Sequence, residues 1–145
     1  MSLPTARSVK HSHYGDDRVR LTYDERFLRR KVLTAVSGER FVVDLERTTS
    51  LGSGDALALE DGRLISVVPA EEDLLEVTGD LTRLAWHIGN RHMPCQIESG
   101  RLLIQRDHVI QEMLEKLGAG LRMVCEPFTP EGGAYGHGRT HSHAH

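Results

Sequence analysis

Leu74-Leu75-Glu76-Val77-Thr78-Gly79-Asp80-Leu81-Thr82-Arg83-Leu84-Ala85-Trp86-His87-Ile88 changes its apolar spacing partway along, and that change decides the fold of the second half of the chain. Residues 74–77 read as a short strand, whereas Leu81, Leu84, Ala85 and Ile88 recur at helical spacing. Asp80 stands where a short polar side chain accepts from the first unpaired amides of a helix. The helix must stop near His92-Met93-Pro94, because proline disfavours helical geometry in the residue before it. Residues 95–98 and 101–105 flank a Ser99-Gly100 turn and read as a hairpin. Asp107 then caps a second helix with the stripe Ile110, Met113, Leu114 and Leu117, ended by Gly118, and residues 120–126 supply a last strand. The order β-α-β-β-α-β is the ferredoxin-like arrangement. Its usual strand order, 4-1-3-2, puts Cys95 and Cys125 on opposite edges, which argues against a disulfide between them.

Upstream, alternation of period two recurs three times: Val19, Leu21 and Tyr23; Val32, Thr34 and Val36; Phe41, Val43 and Leu45. Ser37-Gly38-Glu39 and Asp61-Gly62 have the chemistry of tight hairpin turns, and residues 49–55 that of a surface loop. The first half therefore reads as a β-meander. Structure is expected from about Arg18, after a polar lead-in holding His11 and His13. A break at Pro69-Ala70-Glu71-Glu72 gives an α+β protein in three parts: a β-rich domain over 1–70, a ferredoxin-like domain over 71–130, and a flexible histidine-containing tail over 131–145.

Composition narrows the function. Eighteen basic against 21 acidic residues leave a formal charge of −3, without the positive surplus of a nucleic-acid binder. No apolar run is long enough for a membrane span and the start lacks a signal peptide, so the expectation is a cytoplasmic protein with no membrane partner. The sequence has none of the motifs of a metalloprotease, serine hydrolase, P-loop or dinucleotide enzyme, and catalysis is not expected.

Histidine is the anomaly, nine in 145 residues. His137, His141, His143 and His145 form H-x3-H-x-H-x-H, a run whose imidazoles suit nickel, zinc or copper. An expression tag is the plain alternative, but a tag is normally uninterrupted and lacks the preceding Pro-Phe-Thr-Pro-Glu segment. His87 and His92, five apart on one helix, would project about 140° from each other and cannot share an ion. His92 falls on the rim of the apolar stripe. His87, beside Trp86 and Arg91, fits a histidine interacting with the helix dipole. His108 follows the capping Asp107 and fits a residue that merely occupies the first turn, although an adjacent aspartate is also a natural partner for a ligand imidazole.

Particular residues carry a resemblance. Trp86-His87-Ile88-Gly89-Asn90-Arg91-His92-Met93-Pro94 with Gln96-Ile97, Arg101-Leu102-Leu103-Ile104, Asp107-His108-Val109-Ile110, Met113-Leu114, Leu117-Gly118, and Pro127-Phe128-Thr129-Pro130-Glu131 with Gly133-Ala134-Tyr135 resemble the UreE urease accessory family. The resemblance spans roughly residues 74 to 145. The β-rich first half is consistent with that family's peptide-binding-like N-terminal domain. It implies a homodimeric nickel metallochaperone, not an enzyme, that passes Ni(II) to the GTPase partner UreG for insertion into apo-urease. It implies that His92, one from each subunit, is the main ligand at the dimer interface, completed by tail histidines, with Zn(II) or Cu(II) as other ions for the same site. An isologous interface duplicates each residue about its axis, so one histidine per chain becomes a two-imidazole site. Some relatives carry a histidine where this chain has Gln105-Arg106, so a secondary site using His108 is left open. Four spaced tail histidines suggest one to two ions per dimer. The rival readings are a small metal-binding interaction module and a metal-dependent hydrolase.

Overall fold

The computed structural model describes residues 2–132; the tail histidines His137, His141, His143 and His145 lie outside the described residues. The chain divides between Ala70 and Glu71 into two compact units. Among the described residues no helix is long and apolar enough to cross a membrane.

The first unit is a curled six-stranded sheet made of β1 (Thr5–His11), β2 (Asp17–Leu21), β3 (Phe27–Thr34), β4 (Arg40–Ser50), β5 (Asp55–Leu59) and β6 (Leu64–Pro69). Its order, β2-β6-β5-β1-β4-β3, is not a meander, since β1 runs parallel to β4 and β2 parallel to β6. The polar lead-in is thus corrected to an interior strand. β1 pairs on both sides, so its backbone is held by ladders, and near its start, where β4 and β5 both pair with it, a small residue, Ala6, is fully buried. A second correction concerns β3. Leu33 and Ala35 face the core while Val32 and Val36 are exposed, because the hairpin through Gly38 (φ 95°) sets Leu33 opposite the buried Phe41. Val19, Leu21, Phe41, Val43 and Leu45 are buried as their alternation requires, and Gly62 (φ 94°) turns β5 into β6.

The second unit has the order β7 (Glu71–Thr78), α1 (Leu81–Asn90), β8 (Gln96–Ile97), β9 (Leu102–Gln105), α2 (His108–Lys116) and β10 (Gly120–Pro127). Its sheet runs β10-β7-β9-β8, the ferredoxin-like 4-1-3-2 order. Leu84 and Ile88 of α1 and Ile110 and Leu114 of α2 pack on Leu75, Val77, Leu102 and Ile104 of the sheet. Each such aliphatic side chain contributes roughly 1.5–3 kcal/mol when fully buried. On the sheet's other surface Arg101 joins Glu76, Glu98 and Glu126. Cys95 just precedes β8 and Cys125 lies on β10; both are free thiols.

Candidate metal centre

Both helices begin and end by the same devices. The Asp80 carboxylate accepts from the Arg83 amide at 3.3 Å, and the Asp107 carboxylate accepts from the Ile110 amide at 3.0 Å. At the end of α2, the Gly118 amide donates to the Glu115 carbonyl and the Ala119 amide to the Leu114 carbonyl, with Gly118 left-handed at φ 80°. This is a Schellman motif, and glycine is its usual residue because the left-handed region crowds a Cβ. At the end of α1 the same two bonds recur. The His92 amide donates to the Gly89 carbonyl at 2.9 Å and the Met93 amide to the Ile88 carbonyl at 3.3 Å. Met93 packs against the core cluster that contains Ile88, the apolar contact the motif favours.

Histidine therefore occupies α1's glycine position. His92 has φ 58° and is the one non-glycine residue with positive φ among the described residues. That corrects its assignment to the helix: it stands two residues beyond Asn90, so the angle to His87 derived from a continuous helix does not apply. The left-handed backbone costs a residue with a Cβ roughly 1–2 kcal/mol. Strain of this kind is kept where surrounding structure fixes it, and it collects at functional sites. Its side chain is exposed.

A second segment returns to this place. Phe128 is fully buried, the Thr129 amide donates to Gln96 Oε1 at 2.8 Å, and the Glu131 amide donates to the Cys95 carbonyl at 2.9 Å. The last described residues are thus tied three positions from His92, and the chain bearing the tail histidines starts there. Burial, with a smaller contribution from the Glu131 charge, pushes the Cys95 thiol up to about 11. It stays protonated at neutral pH and is a poor thiolate ligand.

The other histidines lie elsewhere. His87 makes an edge-on contact with Trp86, centroids 5.0 Å apart, beside a shallow groove lined by Asp80, Thr82, Arg83, Trp86 and His87. His108 is exposed at the first turn of α2, its Nε2 3.2 Å from Glu112 Oε1, while the Asp107 carboxylate holds the cap. Among the described residues no three His, Cys, Asp or Glu side chains are grouped to hold an ion. Sequence reasoning passed over His11 and His13, whose rings lie 5.9 Å apart at the end of β1.

These features define a two-domain α+β protein whose distinctive chemistry is an exposed imidazole at a strained helix cap. Comparison with known proteins agrees. The model of the UreE urease accessory protein N-terminal domain matches residues 3–70, and that of the C-terminal domain matches residues 67–145. A urease accessory protein UreE of Ruegeria pomeroyi is 68% identical with all of both chains covered. One from Cereibacter sphaeroides is 62% identical over 88% of this chain and 70% of its own, and one from Rhodopseudomonas palustris 47% identical over 97% and 70%. The chain belongs to the UreE urease accessory protein family. Membership implies a role in urease maturation, in an accessory family rather than one named for catalysis.

Proposed function

We propose that the chain is a homodimeric nickel metallochaperone of the cytoplasm, which binds Ni(II) as cargo at a dimer-interface histidine site and delivers it for assembly of the urease active site through the GTPase UreG. His92 from each subunit supplies the first imidazoles; His137, His141, His143 and His145 supply further ones, and His108 is at most a secondary ligand. The observation that carries this reading is the tether of Glu131 to the Cys95 carbonyl, three residues from His92. His137 is six steps along the chain from Glu131, a span of up to about 20 Å when extended, whereas three steps span at most about 11 Å. The first tail histidine therefore has chain enough to reach His92. The donors fit the cargo: imidazole suits Ni(II), and also Zn(II) or Cu(II), while the protonated Cys95 thiol leaves the site without the thiolate that would favour softer ions. Ligands on a separate segment can leave one at a time, which suits transfer. Trp86, 63% exposed on α1, is apolar surface that a second copy could cover.

Nickel calorimetry with native mass spectrometry tests the reading on three forms: the full chain, the chain lacking residues 136–145, and His87→Ala. The full chain should be a dimer whose tightest site loses affinity without the tail yet keeps one ion per dimer, and His87→Ala should leave that site unchanged. A truncated dimer that binds no nickel would favour the interaction-module reading, with metal held by the tail alone. A monomer that binds nickel as tightly as the full chain would overturn the interface site.

A further inference from the structure

We propose that His11 and His13 form a second transition-metal site, carried entirely by the first unit and built as a two-imidazole chelate for a borderline divalent cation. His11 closes β1 and His13 lies two residues on, in the bend that follows the strand. Their rings meet edge to face at 74°, centroids 5.9 Å apart. In a tetrahedral chelate with metal–nitrogen bonds near 2.0–2.1 Å, two imidazole centroids stand roughly 5.2 Å apart. Both side chains are exposed, and their torsions can turn one nitrogen of each ring toward a shared ion.

The backbone between the rings is fixed on both sides. The Ser12 amide donates to the Gly54 carbonyl at 2.8 Å, and the Ser12 carbonyl accepts from the hydroxyl of buried Ser66 at 3.0 Å. The same hydroxyl accepts from the Gly15 amide at 2.7 Å, and the Tyr14 amide donates to Ser12 Oγ at 3.2 Å. Two imidazoles thus project from a loop whose ordering is already complete, and binding need not supply it.

Gly54 makes room for them. With φ 96° it takes a conformation glycine favours, and a Cβ there would lie 2.9 Å from His13 Cε1, 3.0 Å from His13 Nε2 and 3.2 Å from His11 Cε1. Both rings therefore converge on one point above a bare backbone. Asp55, directly opposite His11 in the β1–β5 register, keeps Oδ2 on the Gly52 amide at 2.7 Å, and the two imidazoles are the ligands proposed. Imidazole nitrogens with open positions take Zn(II), Cu(II) or Ni(II) rather than calcium or magnesium.

Zn(II) titrated into the full-length chain, followed by long-range 1H–15N correlation of individual imidazoles, tests this. The His11 and His13 ring nitrogens should shift together in one step, distinct from the step at His92. His13→Gln should weaken zinc at His11 roughly a hundredfold, as expected when a chelate loses one arm, and leave the His92 step in place. Both side chains are exposed, so the change does not touch the core. If His11 responds identically in wild type and His13→Gln, or neither ring shifts while the other histidines saturate, no chelate exists.

Discussion

Replacing His92 by glycine separates the backbone's preference from the imidazole's use. With φ 58° at the cap of α1, the residue sits where α2 has Gly118, in the same pair of hydrogen bonds. Relief of the Cβ clash is worth roughly 1–2 kcal/mol. The greater freedom of glycine in the unfolded chain takes back roughly 0.5–1 kcal/mol. The net expectation is a metal-free His92→Gly protein about 0.5–1 kcal/mol more stable, or a few degrees in Tm for a chain of this size. Nickel affinity moves the other way, by about a hundredfold or more, since a symmetric site loses two donors at once. Urea unfolding of the metal-free protein gives the first quantity and calorimetry the second. Gly118→His is the mirror control: it should destabilise the second unit by about 1–2 kcal/mol and leave nickel binding intact. A His92→Gly protein that unfolds more easily than wild type would refute the strain argument. One that binds nickel with unchanged affinity would refute the ligand role.

Three other outcomes follow from the geometry. The Arg101 guanidinium, through its hydrogen bonds, holds the Glu76 and Glu126 carboxyls below the usual carboxylate range; a depressed carboxylate contributes stability above its unfolded pKa and loses it as pH falls through the folded value. Arg101→Gln should therefore lower stability at neutral pH and flatten its decline on acidification, read by urea midpoints between about pH 7 and 3. The two thiols should react with a disulfide reagent at pH 8 in two phases, exposed Cys125 first and Cys95, pushed up to about 11 by burial, far behind; equal rates would show that Cys95 is open to solvent. Ala6→Leu should destabilise the first unit by roughly 1–3 kcal/mol through overpacking, whereas a frayed lead-in would tolerate it.

How far the sequence could be read depends on where the deciding interactions lie. The ferredoxin-like unit was legible because its signals are local: Asp80 and Asp107 bind amides three residues on, and each helix carries its own apolar stripe. β1 was not, because only Ala6 and Val9 are apolar in Thr-Ala-Arg-Ser-Val-Lys-His, and its stability comes from pairing with residues 42–43 and 55–59. In β3 the run Lys-Val-Leu-Thr with Ala35 and Val36 is apolar at both parities, and the face is settled only by the register that sets Leu33 opposite Phe41. One residue of slip reverses every side chain.

His92 falls between these cases. Proline at 94 marks the stop of α1 but not its geometry. A cap whose left-handed residue is not glycine leaves no glycine to read, and the remaining signal is Met93, the apolar residue that the motif folds back toward Ile88. A continuous helix would have carried His92 one turn past Ile88 with its amide on that same carbonyl. The left-handed turn instead bonds His92 to Gly89 and gives the Ile88 carbonyl to Met93. The imidazole is thereby released from the helix surface at the place where the chain bearing the tail histidines is tied down, and the strain at φ 58° is the measurable trace of that placement.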